Sequence, residues 1–416
     1  MSKAIPTQKQ LEWADMETGV IIHYLADIYN PDFKGYKTGA VRTELSPDSF
    51  NPSRLSPEQW VRSAYELGAK YAVLVANHCT GFSLWRTKVN DYSCASMKWK
   101  NGKGDIVREF VDACKKYGIK PGLYYSTGCN GYYDINDEEK QDYRSEKYTE
   151  YVKCVQKQVE ELWSEYGELF EIWFDGGIVP VEQGGPDIYP ILMKHQPDAL
   201  TFQGPVEHKN NLRWVGNEDG RAPENCWGAY TPGKSSVTGD PDGEYWIPAE
   251  TDFPNRSKKA FGGGWAWRAN EEKYALTPEQ LLQCYVNSVG RNSNMLVGMA
   301  ISTDGDFQDE EQFIEYGKLF KKTFGIAKAE LLNPCGDEFT IQTGGMQIDY
   351  ISSCEDITGG HNVKGFAVYA DGKELYRGEC IGHKRIIPAE GIKAEKITVK
   401  ITAKNENAKI KKVALY

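Results

Sequence analysis

The stretch EIWFDGG, residues 171–177, sets an acid directly after three large apolar residues and releases it into two glycines. Ile172, Trp173 and Phe174 read as a buried strand, and a buried strand has no use for a free carboxylate. Asp175 is therefore either a turn former ahead of Gly-Gly or a reagent delivered to the end of a strand. Seven other apolar runs finish in a similar way: VIIHYL (20–25), YAVLVANH (71–78), IKPGLYYS (119–126), ALTFQG (199–204), LRWVGNE (212–218), EYWIPAETD (244–252) and NMLVGMA (294–300). Their ends collect His23, His78, Tyr124 with Tyr125, Asp175, Glu218, and Glu250 with Asp252. Each has a plain structural alternative: a strand-end histidine can hydrogen-bond the backbone, Glu218 in WVGNEDG can cap a loop, and Trp or Tyr can be core.

Several chemistries are excluded by spacing. Two histidines with Asp and Glu could hold a divalent ion, yet no His pair falls at i, i+4 and no H-E-x-x-H occurs. A G-x-S-x-G elbow is absent. So is a G-x-x-x-x-G-K-[ST] phosphate loop, and GGGWAW (262–267) lacks the helix and lysine that would make it one. What remains is a pair of carboxylates in an aromatic, hydroxyl-binding pocket. That is equipment for cleaving a glycosidic bond, and it needs no metal or organic cofactor. The 11 Trp and 25 Tyr supply faces on which sugar rings stack.

Such a site needs a frame that brings eight strand ends together. Helical segments separate several of the runs. SPEQWVRSAYELG has Ser56 at the N-cap, Pro57 at the first helical position, Gln59 three residues after the cap, and Gly68 as a stop. TPEQLLQCYVNSVG repeats the device with Thr277, Pro278, Gln280 and Gly290, and GDIVREFVDACKKYG ends at Gly118 with Lys115 and Lys116 in its last turn. This alternation predicts a parallel sheet closed into an irregular (β/α)8 barrel over residues 8–325, with no convincing helix in the sixth and seventh units. In that fold the ligand meets the carboxyl ends of the strands. After the charged helix within 306–325, the short alternating runs FTIQT, GFAVYA and KITVKIT predict a C-terminal β-sandwich over 333–416, packed on the barrel rather than binding sugar.

The formal charge of -10 argues against nucleic acid or an anionic membrane as partner, since both demand clustered Lys and Arg. Ten scattered cysteines with no C-x-x-C pair are expected to be reduced and mostly buried. The N-terminus shows no apolar stretch of signal-peptide type, so the expectation is a cytoplasmic protein, or a secreted or periplasmic one if a leader has been removed. Oligomeric state is not legible.

The motifs, in order and spacing, resemble glycoside hydrolase family 29, the α-L-fucosidases. VIIHYL stands where the family has a strand ending in His-Trp-Gly, YAVLVANHCTGFSLW matches its Lys-His-His-Asp-Gly-Phe-x-x-Trp segment, GLYYS is intact, and EIWFDGG matches the nucleophile strand. RWVGNEDG, DGEYWIPAETD, SVGRNSNML and a sandwich carrying CEDITGGHNVKGF and IGHKRI resemble the subgroup selective for α-1,3/1,4-linked fucose. The resemblance implies a retaining exo-fucosidase acting on fucosylated oligosaccharides, with Asp175 as nucleophile and Glu218 as general acid and base. His23, His78, Tyr124 and Trp173 match sugar-contacting positions, and Trp85 matches the Trp that closes the second motif, as a sugar contact or as packing. Glu250 is next in line as a subsite or orienting residue. Two departures stand out: Asn77, Cys79 and Thr80 replace Lys, His and Asp of the second motif, and Tyr24-Leu25 replaces Trp-Gly. They keep open an enzyme for a fucose-like sugar such as an α-L-galactoside. The retained carboxylates count against a non-catalytic fucose-binding protein.

Overall fold

Eight strands too apolar to face water on either side close on one another in the computed structural model, which describes residues 4–30, 45–46, 48–135, 142–234 and 236–416. The chain runs α1 (Gln8–Met16), β1 (Thr18–His23), α2 (Pro57–Leu67), β2 (Tyr71–Asn77), α3 (Ile106–Tyr117), β3 (Lys120–Tyr125), α4 (Glu146–Glu165) and β4 (Glu171–Trp173). It continues through α5 (Tyr189–His195), β5 (Leu200–Phe202), β6 (Asn211–Trp214), β7 (Ala229–Tyr230), β8 (Tyr245–Trp246), β9 (Ala249–Phe253), α6 (Pro278–Ser288), β10 (Asn294–Ala300) and α7 (Glu310–Phe324). The barrel is parallel throughout, in the order β1-β10-β9-β6-β5-β4-β3-β2.

All eight predicted runs supply a barrel strand. EYWIPAETD is the exception in detail: Tyr245 and Trp246 pair antiparallel with β7 as a hairpin outside the barrel, and only β9 enters it. The expected irregularity holds for the sixth unit but not the seventh: among the described residues no helix directly follows β5 or β6, whereas the seventh barrel strand, β9, is followed by α6. α6 closes a full capping box between Thr277 and Gln280. α2 does not: the Gln59 side-chain amide exchanges hydrogen bonds with the backbone of Phe307 instead, at 2.9 Å each way, tying α2 to the segment before α7.

Alternation sorts the strand residues into two layers. Ala72, Leu74 and Ala76 of β2 face the helices, whereas Tyr71, Val73 and Val75 fill the barrel interior with Ile21, Tyr124, Trp173, Leu200, Phe202, Leu212 and Leu296. α1 plugs the N-terminal end, where the Gln10 amide donates to the carbonyls of Lys209, Asn211 and Trp246. Trp13 on the same helix packs into the interior from below.

The C-terminal sandwich starts at β11 (Ala329–Leu332), slightly ahead of the expected Asn333, and continues with β12 (Glu338–Gln342), β13 (Gln347–Glu355), β14 (Val363–Ala370), β15 (Lys373–Gly378), β16 (Arg385–Lys393), β17 (Lys396–Lys404) and β18 (Ile410–Leu415). Two four-stranded sheets, β11-β18-β13-β16 and β12-β17-β14-β15, enclose a separate apolar core.

α2 and α7 approach so closely at Gly317 that a Cβ there would lie 2.1 Å from the Glu66 carbonyl. Alanine is the better helix former by about 1 kcal/mol, yet overpacking of this kind costs about 1–3 kcal/mol. Gly317→Ala is therefore expected to lower the thermal midpoint. An unchanged midpoint in calorimetry would show that the two helices part freely.

Candidate active site

β4 alternates so that Glu171, Trp173 and Asp175 project inward at successive heights, with Ile172 and Phe174 packed outward against the helices. Asp175 thus emerges at the carboxyl-end mouth of the barrel and is open to solvent. Positive φ angles at Gly176 (69°) and Gly177 (79°) then turn the chain away, a conformation that glycine adopts without strain. The Tyr124 hydroxyl, from β3 next door, donates to Asp175 Oδ2 at 3.1 Å.

Lateral register builds the wall of the pocket. Tyr124, Trp173 and Phe202 are paired across β3, β4 and β5. Their rings stack in that order, Trp173 lying 5.5 Å from Tyr124 and 3.9 Å from Phe202. His78, just past the end of β2, stacks on Tyr124 at 5.7 Å, and His23 at the end of β1 stands 6.3 Å from His78. Trp265, from the loop after β9, covers His23 at 4.8 Å. Among the described residues, the Nδ1 of His23 and the indole N–H of Trp265 are buried without a hydrogen-bond partner. Because Trp173 is flanked by rings from both neighbouring strands, it can offer a sugar its edge but not a face.

Burial pushes His23 down to about 3, with His78 adding repulsion, and burial pushes His78 down to about 4. Both imidazoles are neutral in the neutral range and can donate or accept at a sugar hydroxyl.

Two expected sugar contacts lie elsewhere. Trp85 is in the outer layer, its indole N–H donated to Glu161 Oε2 of α4 at 2.9 Å. The cause is a reversal after β2: Ser83 bridges back to Asn77, and the Leu84 amide donates to the Ala76 carbonyl, so the segment runs outside the barrel. Glu250 is fully buried one layer beneath the mouth. It accepts from the Tyr71 hydroxyl at 2.6 Å and from the Trp173 indole at 3.0 Å. Burial and the neighbouring Glu250 push Glu171 well up, and burial also raises Glu250 against the donors around it. Glu171 therefore keeps its proton, and Glu250 is a support that fixes the plane of Trp173.

The residue of β9 at the mouth is Asp252, two positions beyond Glu250 on the same face. Trp214 at the end of β6 donates to its Oδ1 at 2.6 Å. Burial pushes Asp252 well up, and the charge of Glu218 adds to the shift, which places Glu218 within electrostatic reach of it. Asp252 is thus a buried carboxyl whose acidity is weakened by burial first and by the charge of Glu218 second. The two-residue period of Glu-Thr-Asp puts Glu250 and Asp252 on one face of the strand without saying which of them reaches the mouth. Trp265 and Trp214 carried no such signal.

The expectation that all cysteines are reduced also needs correction. Cys79 and Cys129 form a disulfide, with Cα atoms 5.0 Å apart. It joins the loop after His78 to the loop after β3. Asn77, at the family's Lys position, is likewise occupied internally, donating to the Gly81 carbonyl and the Ser83 hydroxyl at 3.1 Å.

Two outcomes are expected. Free imidazole titrates near 6.5. Histidines held neutral contribute stability that is full above about pH 6.5 and is lost as pH falls toward about 4 for His78 and about 3 for His23. The thermal midpoint of the wild type relative to His78→Gln should therefore drop between pH 6.5 and 4; a pH-independent difference would contradict the depressed values. Replacing Glu250 with Gln leaves the buried indole or phenol poorly paired, a loss of about 1–3 kcal/mol. Glu250→Gln should lower the thermal midpoint while retaining most fucose affinity by calorimetry. A hundredfold loss of affinity at unchanged midpoint would make Glu250 a sugar contact after all.

A family model described as alpha-L-fucosidase matches residues 3–316. Alpha-L-fucosidase 1 of Arabidopsis thaliana is 32% identical over 322 residues, 74% of this chain and 58% of that protein. A rice protein provisionally given the same name is 31% identical over 346 residues, 77% of this chain and 60% of its own length. The chain thus spans about three-fifths of the length of these plant relatives. A solved structure from Bacteroides thetaiotaomicron, provisionally named an α-L-fucosidase, superposes over 100% of this chain and 99% of its own with a TM-score of 0.91 at 30% identity. With the family's match spanning the barrel and the carboxylates at its mouth, the chain belongs to the α-L-fucosidase family.

Proposed function

We propose that the protein is a retaining exo-α-L-fucosidase that releases terminal α-1,3/1,4-linked fucose from fucosylated oligosaccharides. The observation that carries the reading is Asp175 at the mouth of the family's barrel, held by Tyr124 beside two neutral histidines, with Glu218 beyond the end of β6. Asp175 attacks the anomeric carbon while Glu218 protonates the departing glycosidic oxygen, giving a covalent fucosyl-enzyme. Glu218 then takes a proton from water, which attacks the same carbon and releases Asp175. Two inversions leave the anomeric configuration unchanged, and a retaining pair of this type stands about 5–5.5 Å apart.

A second reading, an α-L-galactosidase, is favoured by the second motif. Asn77 is turned inward and Cys79 is engaged with Cys129, so His78 is the motif's one imidazole at the mouth. A sugar hydroxyl that loses a buried partner costs about 1–3 kcal/mol.

The reading predicts that α-linked fucosides are turned over in preference to α-L-galactosides, with α-L-fucose as the first-formed product by NMR. Asp175→Gly should lose about a thousandfold or more in rate and regain turnover with azide. A β-configured first product would overturn the retaining mechanism, and preference for the galactoside would select the second reading. Release from α-1,2-linked compounds but not from branched α-1,3/1,4 compounds would overturn the linkage assignment.

A further inference from the structure

The loop that carries Glu218 has no helix of its own to lean on, because among the described residues none lies between β6 and β9. The seven residues from Ala222 to Gly228, just beyond Glu218, instead lie against the C-terminal sandwich. Glu224 is the centre of the contact. Its carboxylate meets the guanidinium groups of Arg385, at the start of β16, and Arg291, the latter at 3.0 Å, and accepts from the Tyr376 hydroxyl of β15 at 2.5 Å. Arg385 also donates to the Glu224 carbonyl and to Tyr376, and its side chain is almost fully buried. Arg291 donates in addition to the Ala222 carbonyl at 3.0 Å.

The contact continues along the segment. The Glu379 amide donates to the Asn225 side chain at 3.2 Å, the Cys380 thiol donates to the Cys226 carbonyl at 3.3 Å, and the Gly228 amide donates to His361 Nε2 at 2.7 Å. On the barrel side, Asp219 pairs with Lys258 at 2.7 Å. Gly220 lies so close to Cys284 and Phe253 that a Cβ would fall 2.7 Å from the cysteine sulfur. The loop is therefore held at two ends, by the barrel next to Glu218 and by the sandwich a few residues later.

We propose that the sandwich is part of the catalytic apparatus, and that Arg385, Tyr376 and Glu224 are positioning residues that set the placement of Glu218 for proton transfer. The inference rests on the assignment of Glu218 as the general acid and base. Charged, partly buried hydrogen bonds of this kind are stronger than neutral ones and fix geometry as well as energy. A general acid must sit within hydrogen-bond reach of the departing oxygen, so a shift of about 1 Å can cost a hundredfold in rate. Proton donation matters little when the leaving group is already a stable anion, which gives the clamp a signature separable from loss of fold.

The test compares Glu224→Ala and the milder Tyr376→Phe with Glu218→Ala and wild type. Two substrates are used: a fucosylated oligosaccharide, whose alkoxide needs the proton, and an aryl fucoside with an acidic nitrophenol, which does not. Glu224→Ala should lower kcat/KM on the oligosaccharide about tenfold or more, and that on the aryl fucoside less than about threefold. Tyr376→Phe should show the same bias with smaller amplitude. In the Glu218→Ala background, Glu224→Ala should add nothing further on the oligosaccharide, since a group acting only through another is silent once that other is gone. Equal losses on both substrates, no loss on either, or additive losses in the double variant would overturn the proposal. Should Glu218→Ala itself show no leaving-group bias, the fault lies in the assignment of the acid; a bias in Glu218→Ala absent from the clamp variants condemns the clamp alone.

Discussion

A strand buried on both faces must send alternate residues to opposite layers, and in a closed barrel one of those layers is an axis shared by all eight strands. Everything at the site depends on this constraint. It lines up Glu171, Trp173 and Asp175 as base, middle and mouth of a single column, and Glu250 and Asp252 as the middle and mouth of another. Position along the strand therefore decides chemistry. The same carboxyl group is open to solvent at the mouth as Asp175, buried beside Trp214 as Asp252, and a hydrogen-bond anchor one layer down as Glu250. Burial raises the latter two, and in the interior Glu171, pushed up by burial and by Glu250, lies beside a carboxyl that the Tyr71 phenol and the Trp173 indole supply with hydrogen bonds.

The stacked wall follows from lateral pairing. Phe202, Trp173 and Tyr124 lie side by side because β5, β4 and β3 are in register, and His78 extends the row past the end of β2. Below it, Glu250 holds the indole plane; above it, Tyr124 holds Asp175. The path from a buried carboxylate to the mouth thus passes through rings whose faces are covered. That leaves the polar surface at the mouth to His23, His78, Trp265 and the carboxylates.

Much of this was legible from the chain itself. The eight runs were recognisable because fully buried parallel strands are continuous apolar segments, and α6 because Thr277 and Gln280 close their box locally. Depth was not legible: nothing in Glu-Thr-Asp says that Glu250 lies below the mouth and Asp252 at it, since both share one face. Trp85 was misplaced for a related reason, because alternation no longer applies once the chain leaves β2 and doubles back outside the barrel. The Cys79–Cys129 bond joins residues 50 apart in sequence, brought together only when β2 and β3 lie side by side. β8, the second strand of the hairpin with β7, was hidden inside EYWIPAETD because apolarity runs through Pro248 without a break while the hydrogen-bonding partners change.

The missing helix after β6 has a consequence for how the chain assembles. In the first half of the barrel each strand is followed by its own helix, so its packing is settled by neighbours close in sequence. The segment after Glu218 finds its partners 152 to 161 residues later, in Tyr376 and Arg385. Long-range contacts of this kind form late, because chain closure over such a span precedes any gain from the contact. During synthesis Lys258 and Arg291 of the barrel are therefore available to the loop well before Tyr376 and Arg385, and the side of the loop that faces the sandwich is settled only once the second domain has been made.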